Sequence, residues 1–209
     1  MSYDYSENIL VQESAGHLLA DELGWQVELA YNQEVLGANG TFGRNSYKDI
    51  LLVRYFQKAL RTLNPWITDA QVIEAQNTFE KHLSSASLMQ INEEKYAYIR
   101  DGIPVTEKKP NGQTEEKRAM IIDFQHPDDM ERNHFLAVKE MKIHGDLYRR
   151  RTDIVGFVNG IPLLFIELKK NSVDVQNAYT DNYTDYLDTI PQLFYYNAFL
   201  MLSNGVEAK

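Results

Sequence analysis

The chain has 209 residues, 44% of them hydrophobic and 24% charged, with 21 Lys and Arg against 30 Asp and Glu for a net charge of −9. That is enough apolar material for one large domain or a domain with a small appendage, and no apolar run is long enough to span a membrane. The absence of cysteine excludes disulfides, thiolate zinc sites and a cysteine nucleophile, and the acidic balance excludes nucleic-acid binding through the overall field. Any such binding needs a local basic patch, a divalent metal or basic partners.

The first ten residues, MSYDYSENIL, carry no signal-peptide pattern, which together with the missing cysteines fits a cytoplasmic protein without membrane contact. Apolar residues at Ile9, Leu10, Leu18, Leu19 and Leu23 predict a helix from about Ser6, its N-cap, to Leu23, with Gly24 as the stop. The alternation in WQVELAY predicts a short strand, and the Gly- and Asn-rich segment from Tyr31 to Ser46 a loop. A helix is expected within 47–65, ending at Asn64-Pro65, and a second within 67–85, with Thr68 or Asp69 as N-cap. From about Ile91 the pattern reads as strand, long polar turn and strand through KYAYIRDGIPVTEKKPNGQTEEKRAMIIDF, followed by one further strand in NHFLAVKEMKIHG.

RTDIVGFVNGIPLLFIELKK then reads as a β-hairpin turning at Asn159-Gly160. VDVQNAYTDNYTDYLDTIP is a helix ending before Pro191, and YNAFLMLSNG a final strand. The order implies an α/β sheet crossed by a helix.

The hairpin carries charges where buried strands want none. Glu167 and Lys169 share a strand face, because side chains alternate. A strict two-residue turn sets Asp153 opposite position 166, facing away from Glu167. A three-residue turn or a single bulge sets it opposite 167, and that register is the one expected, since bulges re-aim side chains beside active sites. Two carboxylates and an ammonium then converge, a set able to hold Mg²⁺ and promote attack on a phosphodiester. The plainer reading is a salt bridge at a sheet edge. Arg149, Arg151 and Lys170 are candidates for gripping a phosphate backbone, or else solvated strand ends. The five histidines lack ligand spacing, and IDFQHPDD reads as a structural loop.

YRRRTDIVGFVNGIPLLFIELKK resembles the nuclease core of the restriction (R) subunit of type I restriction–modification enzymes, within the PD-(D/E)xK superfamily; ELGW, GRNSYKDILL, ALRTLNP and IPQLFYYNAFLMLSNG also resemble that family, in order along the chain. The resemblance implies a single nuclease domain over 1–209: an α/β restriction-endonuclease-like core, with a central mixed sheet flanked by helices and an inserted helical pair at about 47–85. It implies Asp153 and Glu167 as metal ligands with the Leu168 carbonyl, Lys169 as the catalytic lysine, and Glu13 on the first helix as a further acid, for which a solvated glutamate is the alternative. The family's Gln-x-x-x-Tyr motif falls on Asn182 and Tyr186, with asparagine in place of glutamine, and Thr152 stands where the family has proline. The implied activity is Mg²⁺-dependent cleavage of double-stranded DNA without sequence reading, beside methyltransferase (M) and specificity (S) subunits. No G-x-x-x-x-G-K-[ST] loop occurs in these residues, so ATP is expected only for translocase domains outside them, the chain being a fragment. A docking module for the methyltransferase and a stand-alone repair or junction nuclease are the alternatives.

Overall fold

The computed structural model describes residues 7–209, with side chains from Leu10 onward. Strands β1 (Gln26–Leu29), β4 (Phe135–Lys139), β7 (Ile154–Val158), β8 (Ile161–Leu168) and β9 (Phe199–Ser203) form one sheet in the order β1-β4-β7-β8-β9. The outer pairs β1–β4 and β8–β9 are parallel and the inner pairs antiparallel, so the sheet is mixed. Helix α1 (Glu7–His17), prolonged by a π-helical turn over Leu18–Glu22, covers one face through Val11, Leu19, Ala137, Ile154, Ile166 and Leu168. Gly24, at φ 70°, ends it as expected; the Ser6 cap lies outside the described residues.

The opposite face packs Val155, Phe157 and Phe165 against Tyr186, Leu193 and Phe194. Those last three come from the crossover between β8 and β9: a π-helical stretch over Ala178–Tyr183, helix α5 (Thr184–Thr189) and a short 3-10 turn. Helices α2 (Val53–Leu63), α3 (Asp69–Glu80) and α4 (Leu88–Asp101), with the separate hairpin β2 (Ile103–Lys108) and β3 (Thr114–Ala119), build a second core around Phe56, Leu60, Phe79 and Ile103.

Two expectations are corrected here. The stretch KYAYIRD is not strand but the end of α4, a third helix that follows the two, α2 and α3, within 47–85. The Tyr and Ile content favours strand, yet a Ser87–Gln90 capping box starts a helix that Gly102, at φ 85°, ends, while Ile91, Lys95 and Ile99 fall on one buried face. The strand expected through NHFLAVKEMKIHG is broken at Glu140, whose φ of 53° lies in the left-handed region. The chain leaves the main sheet there and forms a separate ribbon, β5 (Lys142–His144) with β6 (Arg149–Arg151).

The β7–β8 hairpin has the irregular register that the charges require. Val158 pairs with Ile161 and Phe157 with Pro162, as a two-residue turn dictates, but Gly156 pairs with Leu164. Leu163 is the extra residue of a β-bulge, and past it Ile154 faces Ile166. Asn159 and Gly160 turn at φ 52° and 81°. A Cβ on Gly160 would lie 2.5 Å from the Leu52 carbonyl oxygen and 2.9 Å from the Phe56 nitrogen, at the start of α2. Gly160→Ala is therefore expected to cost about 2 kcal/mol or more, read as a lower urea midpoint; an unchanged midpoint would show that the turn relaxes freely.

Candidate active site

One further step along the bulged ladder sets Asp153 opposite Glu167, on the face that carries Val155 and Phe165. The two side chains therefore point together toward the crossover. The N–H of Leu168 donates to Asp153 Oδ2 at 2.7 Å, and Glu140 N–H donates to the Asp153 carbonyl at 2.8 Å. Both main-chain contacts fix the aspartate at the point where two strands diverge. Thr152, which replaces the family's proline, donates its N–H to the Met141 carbonyl at 3.1 Å, a bond proline could not make.

Lys169 continues along the same face, and its Nζ donates to Asn182 Oδ1 on the crossover. Tyr186, four residues on, donates from its hydroxyl to the Arg151 carbonyl at 3.1 Å and meets Phe165 edge-on, with ring centroids 5.9 Å apart. Asn182 and Tyr186 share a helix side, and between them they pin both ends of the charged cluster. Tyr186→Phe should lower stability by about 1 kcal/mol in urea unfolding, the value of one hydrogen bond, with the ring packing kept. No change would mean that the Arg151 carbonyl is satisfied otherwise.

Glu167 is only 2% exposed, and its Oε2 has no hydrogen-bond partner among the described residues. Burial, and secondarily the neighbouring Asp153 carboxylate, push its carboxyl up to about 9, against the pull of Lys169. Burial also raises Asp153, opposed chiefly by the Leu168 N–H and Lys169. A buried oxygen without a donor beside a second carboxylate is what a hard cation would satisfy. The donor set is small: among the described residues no group of three or more His, Cys, Asp or Glu side chains is placed to hold a metal ion. Two carboxylates and a backbone carbonyl suit Mg²⁺, which keeps several of its waters.

Glu13 sits elsewhere. Its carboxylate pairs with Lys139 Nζ at 2.7 Å, and strand alternation puts the Lys139 stem on the α1 face with Ala137 and Ile154. The contact of α1 with the cluster is made instead by Gln12, whose Nε2 donates to the Asp153 carbonyl at 3.4 Å. Of the arginines before Asp153, Arg149 and Arg151 lie on one side of β6, while Arg150 turns to the other and binds Asp185 through both carboxylate oxygens, at 2.5 and 2.8 Å. Lys170 is exposed beyond the end of β8. Sequence reasoning missed Gln12 and Glu140; neither carries a pattern that separates it from an ordinary surface residue. A cavity of about 680 Å³ beside α2 contains none of Asp153, Glu167 or Lys169, so the carboxylate pair rather than that cavity marks the site.

A mixed sheet flanked by helices, with an acid, a Glu-x-Lys and a bulge between them, defines a restriction-endonuclease-like core. The family described as "Type I restriction enzyme R protein N terminus" matches residues 4–209, and the chain belongs to it. It is 32% identical over 191 residues to the type I restriction enzyme HindI endonuclease subunit of Haemophilus influenzae, covering 90% of this chain and 17% of that subunit. It is 30% identical over 171 residues to the putative type I restriction enzyme MjaIXP endonuclease subunit of Methanocaldococcus jannaschii, covering 79% of this chain and 16% of that protein. The chain thus spans a small part of the length of these relatives. Among the described residues no helix is long and apolar enough to cross a membrane.

Proposed function

We propose that this chain is the DNA-cleaving module of a type I restriction enzyme, a Mg²⁺-dependent endodeoxyribonuclease that hydrolyses duplex DNA without reading its sequence. The observation that carries this reading is the bulged register that opposes Asp153 to Glu167 and leaves a buried Glu167 oxygen without a donor. Asp153, Glu167 and the Leu168 carbonyl would hold the ion. When bound, Mg²⁺ polarises the phosphodiester and acidifies a water.

The chain's own groups do the rest. Leu168 N–H fixes one Asp153 oxygen and so aims the other. Lys169, held by Asn182, is placed to orient the attacking water or to meet the charge that develops on phosphorus. Arg149, Arg151 and Lys170 supply positive charge for phosphate contact. Methyltransferase and specificity subunits would deliver the DNA, and ATP would serve translocase segments outside these residues.

Calorimetric titration of the 209-residue chain with Mg²⁺ or Mn²⁺ tests the site. Wild type should bind, and Asp153→Ala and Glu167→Ala should each abolish binding. Binding that survives both substitutions would put the ion elsewhere and defeat the assignment; weight would then pass to a docking role toward the methyltransferase.

A further inference from the structure

The β5–β6 ribbon gathers most of its basic side chains on one face. Its register pairs Lys142 with Arg151 and His144 with Arg149, and directly opposed residues share a face. The intervening pair, Ile143 with Arg150, points the other way: Ile143 is fully buried and Arg150 is bound to Asp185. Three cations, Lys142, Arg149 and Arg151, and the His144 imidazole are therefore collected on one side of a two-stranded ribbon, in a chain of net charge −9. Like charges placed directly opposite destabilise a strand pair, so this arrangement works against the fold.

The residues of this face, together with Arg150, Tyr31 and Tyr47, line a cleft of about 470 Å³. Tyr31 lies under two of the cations, Lys142 at 5.1 Å and Arg151 at 4.5 Å from the ring centroid. Tyr47 packs on His144 with centroids 4.9 Å apart, and its carbonyl accepts the His144 N–H at 3.0 Å. The wall that carries these tyrosines is fixed by a buried ion pair. Arg44 donates to both oxygens of Glu34, at 2.8 and 2.5 Å, and also to the Lys142 carbonyl at 3.1 Å. Neutralising partners on the open face are few. Arg151 reaches Glu140 only at 3.7 Å, Lys142 Nζ meets Asn32 Oδ1 at 3.3 Å, and the Arg149 guanidinium has no acidic partner among the described residues. Burial and then the surrounding Arg149, Arg44, Lys142 and Lys48 push the His144 imidazole below its ordinary value, as a positive local potential requires.

We infer that the open face of this ribbon, Lys142 and His144 on β5 with Arg149 and Arg151 on β6, is a preformed track for the phosphate backbone of duplex DNA, leading into Asp153. The identity of the ligand as DNA rests on the nuclease reading above. The track reads no bases: it offers cations to phosphates, and its strand ends two residues before the acid.

The test is fluorescence anisotropy of a short labelled duplex with the 209-residue chain in EDTA, across a salt series. Working without metal separates the track from the metal site. The Lys142→Gln/Arg149→Gln double variant should bind on the order of ten-fold more weakly at low salt, with the log–log salt slope reduced by about two. A Lys108→Gln/Lys109→Gln variant at the β2–β3 tip should bind like wild type. Far-ultraviolet circular dichroism checks that each variant is folded. Wild-type affinity in the ribbon variant, an equal loss in the tip variant, or no binding by wild type would each overturn the track. A ribbon effect accompanied by no metal binding in the calorimetry would keep the track and remove the nuclease reading.

Discussion

Lys169→Ala is expected to separate binding from chemistry. In a full-length R subunit assembled with its partners, it should lower DNA cleavage on the order of 10³-fold, while the isolated chain still binds Mg²⁺. Asp153→Ala should lose both properties. The difference follows from where the groups sit. Asp153 and Glu167 come together just past the last ladder pair, Ile154 with Ile166, and the proposed ion would take both carboxylates. Lys169 Nζ is drawn off that pair to Asn182 on the crossover, which leaves it beside the cation position rather than in it. Removing an ammonium from the edge of a cation site also removes a repulsion, so metal affinity in Lys169→Ala should be equal to wild type or higher. Asn182→Ala should fall between, with partial loss of cleavage, because the ammonium keeps its charge and loses only its tether. Calorimetry and a supercoiled-plasmid cleavage assay read the two properties separately. A Lys169→Ala variant that cuts at the wild-type rate would remove the lysine from the mechanism.

The elements that could be read from the residues are those whose signals are local. Thr68 with Gln71 forms the capping box that opens α3, and Gly24 stops the first helix at a positive φ. The bulge was legible for a different reason. Asp153 and Glu167 make chemical sense together only if one residue is looped out of a two-residue hairpin, and Leu163 is that residue. What escaped depended on tertiary context. In α4 the residues Tyr96, Tyr98 and Ile99 favour strand by propensity, and only packing against the α3–β2 core makes the helix pay. Glu140 gives no warning of a left-handed turn, since glutamate is not a residue that seeks one, yet that turn divides β4 from the basic ribbon. The same turn hid the ribbon's sidedness. As an RRR run the arginines look equivalent, and only the pairing with β5 shows that Arg150 belongs to Asp185 while Arg149 and Arg151 face the other way.

Metal binding near neutral pH should release about one proton. In the metal-free chain the Glu167 carboxyl is raised to about 9 by burial and by Asp153, and Asp153 is raised as well, so the pair holds a proton at pH 7. A divalent ion favours both carboxylates and expels that proton. Titration in two buffers of different ionisation enthalpy gives the count, and a value near zero would mean that Glu167 is already ionised. The same shift governs stability without metal. The folded value lies above the unfolded one, so Glu167 contributes fully below about pH 4.5, and that contribution is lost as pH rises toward 9. Across this window the folded chain retains a proton that the unfolded chain gives up, and ionising the buried group leaves Oε2 charged and without a donor. Glu167→Gln keeps the shape and cannot ionise. In EDTA it should gain on wild type as pH rises, by on the order of 3 kcal/mol at pH 9 relative to pH 5 in urea unfolding. Parallel pH profiles for the two proteins would show that the buried carboxyl is solvated after all. The cost that burial imposes on this carboxylate in the metal-free fold is the reason that a cation should bind there with a pH dependence, tightening up to about pH 9 and levelling beyond it.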